Sequence, residues 1–211
     1  MLKKVATIGL ISFTLFSGIS TVSAKENTNL NTELTKEEKQ ILKEQRAELR
    51  ELWDQYPVEI NKKDKSSVQA ASAQLSGSIG SKGDILMALD SITDHVAIVK
   101  DSYTIIEAHP DTDDVAYRSN DFPARYDDIK GLRVSTTYSK KSGAVSYAER
   151  QLGEPYTLFT TRNSTDSWYC SKLIWAAYMS QGIDLESTIN AMMITPGDLL
   201  ESPHTSVFYQ S

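Results

Sequence analysis

Cysteine is almost absent from this chain. Cys170 is the only one, so no internal disulfide can brace the fold. Histidine is nearly as scarce. The three histidines and the lone thiol are well separated in sequence, and no zinc-ligand spacing arises. No phosphate-cradling glycine loop occurs either, so neither a metal nor a cofactor is expected. Positive charge is in deficit, with 22 lysines and arginines against 28 acids. That balance disfavours nucleic acid or an anionic membrane surface as a partner.

Long apolar runs are confined to the N-terminus. Met1-Leu2-Lys3-Lys4 is a short basic start, Val5 to Ser20 carries no charge, and Val22-Ser23-Ala24 offers small residues for a signal peptidase. Cleavage before Lys25 is expected. The run is too short, and too closely followed by that site, for a retained transmembrane anchor. No cysteine follows it to carry a lipid. The mature chain is therefore expected to be secreted or cell-wall associated, and loss of Lys3 and Lys4 takes its formal charge from −6 to −8.

Residues 1–24 thus read as a signal peptide, 25–76 as an N-terminal helical extension with a linker, and 77–211 as one main domain. In the extension, Thr35-Lys36-Glu37-Glu38 has capping-box spacing and opens a helix to about Gln55. Leu34, Ile41, Leu42, Leu49, Leu52 and Trp53 form its apolar stripe, which suits a structural brace; the sharper alternative is a lid over an active site. Lys62 to Lys82 is rich in Ser, Ala, Gln and Gly and reads as a linker. Short β-like runs follow at Asp84–Leu89, His95–Val99, Tyr103–Ala108, Val115–Arg118 and Gly131–Ser135. Helical patterns come next, at about Gly143–Leu152 and Cys170–Gln181, with Gly182 as a stop. Strands grouped before helices predict an α+β fold.

Two segments carry chemistry. His95 to Glu107 predicts a hairpin with Val99 opposite Tyr103 across a three-residue loop, and hence His95 directly opposite Glu107. A carboxylate there accepts the imidazole N–H, fixes its tautomer and favours its protonated state. His109 lies on the same face and is the runner-up for the orienting role, although Pro110 ends the strand. Cys170 opens a helix whose inward face continues through Leu173, Ile174 and Ala177. A helix N-terminus and a nearby imidazolium both favour thiolate over thiol. A lone cysteine is also a common apolar filler or an intermolecular link. The joint occurrence with a His–carboxylate pair favours a nucleophile.

Ala148-Glu149-Arg150-Gln151-Leu152-Gly153-Glu154-Pro155-Tyr156, followed by Tyr169-Cys170-Ser171-Lys172-Leu173-Ile174-Trp175, resembles the nucleophile region of the NlpC-type cell-wall cysteine peptidases. Their histidine block is similar to Gly83-Asp84-Ile85-Leu86 with His95-Val96-Ala97-Ile98-Val99 and Ile105-Ile106-Glu107-Ala108. Here that block precedes the cysteine. This is the order of the circularly permuted papain-like branch, YiiX-like and related to the lecithin:retinol acyltransferase-like proteins.

The resemblance implies a permuted papain-like fold, a small antiparallel sheet packed on helices, with the N-terminal helix added outside it. It also implies Cys170 as nucleophile, His95 as base, Glu107 as the orienting residue and Tyr156 near the oxyanion or substrate. The family's usual Gly-Gly after the tyrosine segment is replaced by Leu158-Phe159-Thr160-Thr161, which changes one cleft wall. Pro196-Gly197-Asp198-Leu199-Leu200 with His204 imitates the unpermuted order, but no strand is expected after His204, so it reads as a surface histidine. Asp111, Asp113 and Asp114 read as a solvated acidic loop, with a grip on a substrate amino group as the alternative. The function so implied is a secreted cysteine peptidase or amidase cutting an amide of cell-wall peptide stems. The rivals are a lipid amidase or acyltransferase of the same fold and a non-catalytic wall-binding module.

Overall fold

The computed structural model describes residues 34–59, 78–90, 94–187 and 193–211. The expected signal peptide and most of the expected linker lie outside these residues. An N-terminal helix α1 (Lys36–Trp53) precedes strands β1 (Ile85–Ala88), β2 (His95–Val99), β3 (Thr104–His109) and β4 (Asp114–Ser119). Then come a one-turn helix α2 (Phe122–Arg125), strand β5 (Ile129–Val134), helices α3 (Tyr138–Glu149), α4 (Cys170–Met179) and α5 (Pro196–Glu201), and strand β6 (Thr205–Gln210). The strands form one antiparallel sheet in the order β4-β3-β2-β1-β5-β6.

The central strands are buried on both faces, which is why they read as nearly unbroken apolar runs. Ile85, Met87, Val96, Ile98 and Ile106 pack with α3 and α4 on one side. Leu86, Ala88, Ala97, Val99 and Ile105 face Ile79, Phe122 and Ile129 on the other. The alternation follows from the two-residue period of a strand. Gly131 permits a close approach at the sheet edge: a Cβ there would stand 2.5 Å from the Phe208 ring. The β5–β6 register shifts at this point, between Gly131 and Leu132.

Helix α1 is capped as its sequence predicts, with Thr35 and Glu38 forming a reciprocal capping box. Leu49 and Trp53 join the same core as α3, α4 and the sheet, so the helix is packed into the domain rather than tethered to it. Its C-terminal end is held further by Lys130, whose Nζ donates to the Tyr56 carbonyl at 2.8 Å and sits over the Trp53 ring. No helix among the described residues is long and apolar enough to cross a membrane.

Three expectations need correction. Ile98 pairs with Ile106 and Val99 with Ile105, so the β2–β3 register is two residues from the one predicted. Carried along the hairpin, it sets His95 level with His109 and leaves Glu107 on the diagonal. The loop explains the shift: Lys100 N–H donates to the Thr104 carbonyl, and Asp101 accepts the Tyr103 N–H at 2.9 Å. A shift of two preserves the face, where a shift of one would not. Secondly, α3 begins at Tyr138 rather than near Gly143, because Thr137 accepts the Lys140 N–H and starts the helix early. Thirdly, a strand does follow His204: β6 pairs with β5 at the sheet edge.

Candidate active site

His95 is the first residue of β2, and by strand alternation it shares a face with Glu107 and His109 of β3. Phe122 stacks near its ring at 6.0 Å and Tyr126 lies 6.2 Å away, so aromatic groups close that side. Its Nε2 is 2.9 Å from Glu107 Oε2, with both side chains almost fully buried. Cys170 lies close enough to favour the charged form of the imidazole. With Nε2 committed to Glu107, Nδ1 is the nitrogen left for the sulfur. Cys170 Sγ lies 3.8 Å from the Asp94 carbonyl, at the point where α4 meets the start of β2.

The electrostatics are set by burial against pairing. Burial opposes charge on His95, but the interactions with Cys170 and Glu107 outweigh it and push the imidazole up to about 9. Burial likewise opposes charge on Glu107, yet His95, Arg125 and His109 hold its carboxyl down to about 2. Arg118 Nε and Arg125 Nη1 reach Glu107 Oε1 at 3.1 and 3.2 Å. Glu107 is therefore an anion with three cationic partners. His109 stands edge-on to His95 at 4.8 Å and is driven the other way, down to about 4, by burial and then by the charge on His95. Its Nδ1 accepts the Asp111 N–H at 3.0 Å.

His95, Glu107 and His109 hold their donor atoms within 4.8 Å of one another, the grouping a metal ion would need among the described residues. The set does not fit one as arranged. Nε2 of His95 is spent on Glu107, two guanidinium groups already compensate that carboxylate, and Nδ1 of His109 is occupied by a backbone donor. A further cation would enter a positive shell.

Cys170 opens α4, and Tyr169 caps that helix in extended conformation without a side-chain hydrogen bond, so the cap does not consume the first-turn N–H groups. Two neighbours of the cysteine build a wall. Tyr169 Oη accepts the Ile194 N–H at 3.0 Å, and Ser171 Oγ donates to the Ile194 carbonyl at 2.8 Å. Tyr156 is buried nearby; burial first, then the charge on Cys170, push its hydroxyl pKa upward and keep it a donor. A narrow cavity of about 30 Å³ opens on Cys170, and Leu158 of the segment that replaces Gly-Gly lines it. Leu42, Gln45 and Arg46 of α1 line it too.

The predicted residues thus fall into two groups. Cys170, His95, Glu107 and Tyr156 come together. His204 lies exposed at the start of β6 and does not line the cavity. Asp111 and Asp113 are exposed, with Asp111 facing His109 and Arg118, as a solvated loop would be. Sequence reasoning missed Arg118, Arg125 and Asp94. Arg118 follows the two-residue period of β4, but nothing in a single sequence assigns an arginine to a carboxylate one strand away.

Residues 68–205 match the model of a family described as permuted papain-like amidases, YaeF/YiiX. The fold resembles the crystal structure of the metalloprotein yiiX from Escherichia coli O157:H7, with a TM-score of 0.52 and 16% identity, covering 62% of this chain and 97% of that one. No curated protein matches the chain.

Proposed function

The chain belongs to the permuted papain-like amidase family, and from that premise we propose that it is a cysteine amidase with Cys170 as nucleophile, His95 as acid–base and Glu107 as the positioning anion. The observation that carries this reading is His95 itself. It is buried against Glu107 at 2.9 Å with Cys170 beside it and is pushed up to about 9, which places a charged acid–base group next to the proposed nucleophile.

The steps follow from that state. The Cys170 thiolate attacks the amide carbonyl carbon; an S–C bond forms and the π pair moves to oxygen. The Cys170 N–H and the Tyr156 hydroxyl stabilise that oxyanion. The oxyanion collapses, the C–N bond breaks, and the leaving amine takes the proton from His95. Neutral His95 then removes a proton from water, whose oxygen attacks the thioester. The C–S bond breaks, releasing a carboxylic acid and restoring the thiolate–imidazolium pair.

The substrate proposed is an amide of cell-wall peptide stems, met outside the cytoplasm. The expected signal peptide supports this location, and the likeness of the nucleophile segment to NlpC-type enzymes supports the substrate. One observation favours a second reading, a lipid amide: Leu42, Leu158, Met193 and Ile194 make part of the cavity wall apolar. Purified peptidoglycan, muropeptides and long-chain N-acyl amides, each incubated with wild type and Cys170→Ala and read by mass spectrometry, separate the two. Muropeptide fragments made only by wild type are expected. Turnover of the lipid amides alone would replace the substrate, and identical products from both proteins would overturn the mechanism.

A further inference from the structure

The geometry points to a carboxylate-binding subsite beside Cys170, built around Arg46 of α1, so that this amidase selects substrates with a carboxylate close to the amide it cuts. The inference rests on the reading of Cys170 as the nucleophile, but it concerns a residue outside the region matched by the family model, residues 68–205.

Arg46 lines the same cavity as Cys170. Its guanidinium is only partly used: Nη2 donates to the Asp90 carbonyl at 3.2 Å, a neutral acceptor, while Nε is buried without a hydrogen-bond partner among the described residues. A buried, unpaired guanidinium N–H is costly unless an acceptor completes it. The one acid lining the cavity, Asp94, is already engaged. Arg50 Nη1 stands 3.6 Å from its Oδ1, and the Asp90 N–H donates to that oxygen at 3.1 Å. Arg50 holds the ion pair with Asp94, while Arg46 acts on that carboxylate only through space and makes no ion pair of its own among the described residues. A planar guanidinium fork with an N–H still to be paired matches the two oxygens of a carboxylate. Part of the remaining wall, Leu42, Leu158, Met193 and Ile194, is apolar and strengthens such a contact by excluding water.

The cavity admits only small groups, so a small alkylating reagent is the right probe. Iodoacetate and iodoacetamide differ in one carboxylate. In each case Sγ displaces iodide, one S–C bond forming as the C–I bond breaks. The ratio of their second-order rates on Cys170, at a fixed pH near 7.5 where Asp94 (raised to about 6 by burial) is ionised, reads the subsite without any assumed substrate. Arg46→Gln is expected to lower the iodoacetate-to-iodoacetamide ratio about tenfold, the size of one charge-assisted hydrogen bond. Arg46→Lys should recover part of it. Lys43→Gln removes the same charge from an exposed position three residues away on α1 that does not line the cavity, and should change the ratio far less. Melting curves of each variant show whether α1 stays docked.

An unchanged ratio in a folded Arg46→Gln, or an equal fall in Lys43→Gln, overturns the subsite and leaves the amidase reading standing. A ratio sensitive to Arg46, with a rate that does not depend on His95, overturns the mechanism and keeps the subsite. Failure of both reagents to label the folded protein overturns the subsite, because the cavity then admits no carboxylate-bearing group.

Discussion

Glu107 shows how much one side chain is asked to do. It bonds His95, faces Arg118 and Arg125, and is fully buried. Glu107→Gln keeps the shape and removes the charge, leaving two guanidinium groups without their anion. Breaking a buried pair in this way costs roughly 3 kcal/mol or more, and chemical denaturation should read it. The same change withdraws support for the imidazolium. The alkaline limb of kcat/KM, expected near pH 9 from His95, should move down in Glu107→Gln. His109→Gln should leave that limb in place, since His109 is neutral at working pH, held down to about 4. At this scale the sequence was informative about residue types. A lone cysteine at a helix start and a His–Glu pair on one strand face were readable. The arginines around Glu107 were not, because their contacts are long-range and set by the sheet.

Among the elements, the β2–β3 hairpin and α1 are the instructive pair. The hairpin was legible in its strands and in the shared face of His95 and Glu107, but not in its register. The Asx-type bond from Asp101 to Tyr103 is a local choice that the alternation of apolar residues does not encode. Helix α1 was legible to its cap and stripe, whereas its docking beside Cys170 depends on α5 and the Asp90 carbonyl. Thr35→Ala should cost about 1 kcal/mol through loss of the capping box. Glu48, on the same helix, is raised by burial and then by Asp198, Glu201 and Glu51. Glu48→Gln should therefore raise the melting temperature above pH 6, and less so in high salt.

For the whole molecule, the buried histidines set a pH window for stability. His95, raised to about 9, contributes stability that is fully present below its unfolded value near 6.5 and is lost as pH rises through 9. Glu107, lowered to about 2, contributes stability present above its unfolded value near 4.5 and lost as pH falls through 2. His109, buried neutral and lowered to about 4, takes stability away as pH falls from about 6.5 toward 4. The maximum should lie near pH 6 to 7. Thermal melts across pH should show it, and His95→Gln should flatten the alkaline side. The α+β class was legible from strands grouped before helices. The edge strand β6 was not, because Val207 is the only one of its six residues that is buried.

The most direct test of the account is the pH profile of Cys170 alkylation by iodoacetamide, followed by intact mass, in wild type and His95→Gln. If His95 holds the sulfur's proton, wild type should label rapidly in mildly acidic solution, and His95→Gln only as pH approaches about 8.5, where an ordinary thiol ionises. Coincident profiles with that ordinary midpoint would contradict the account, because Cys170 would then be a buried thiol with no activating partner.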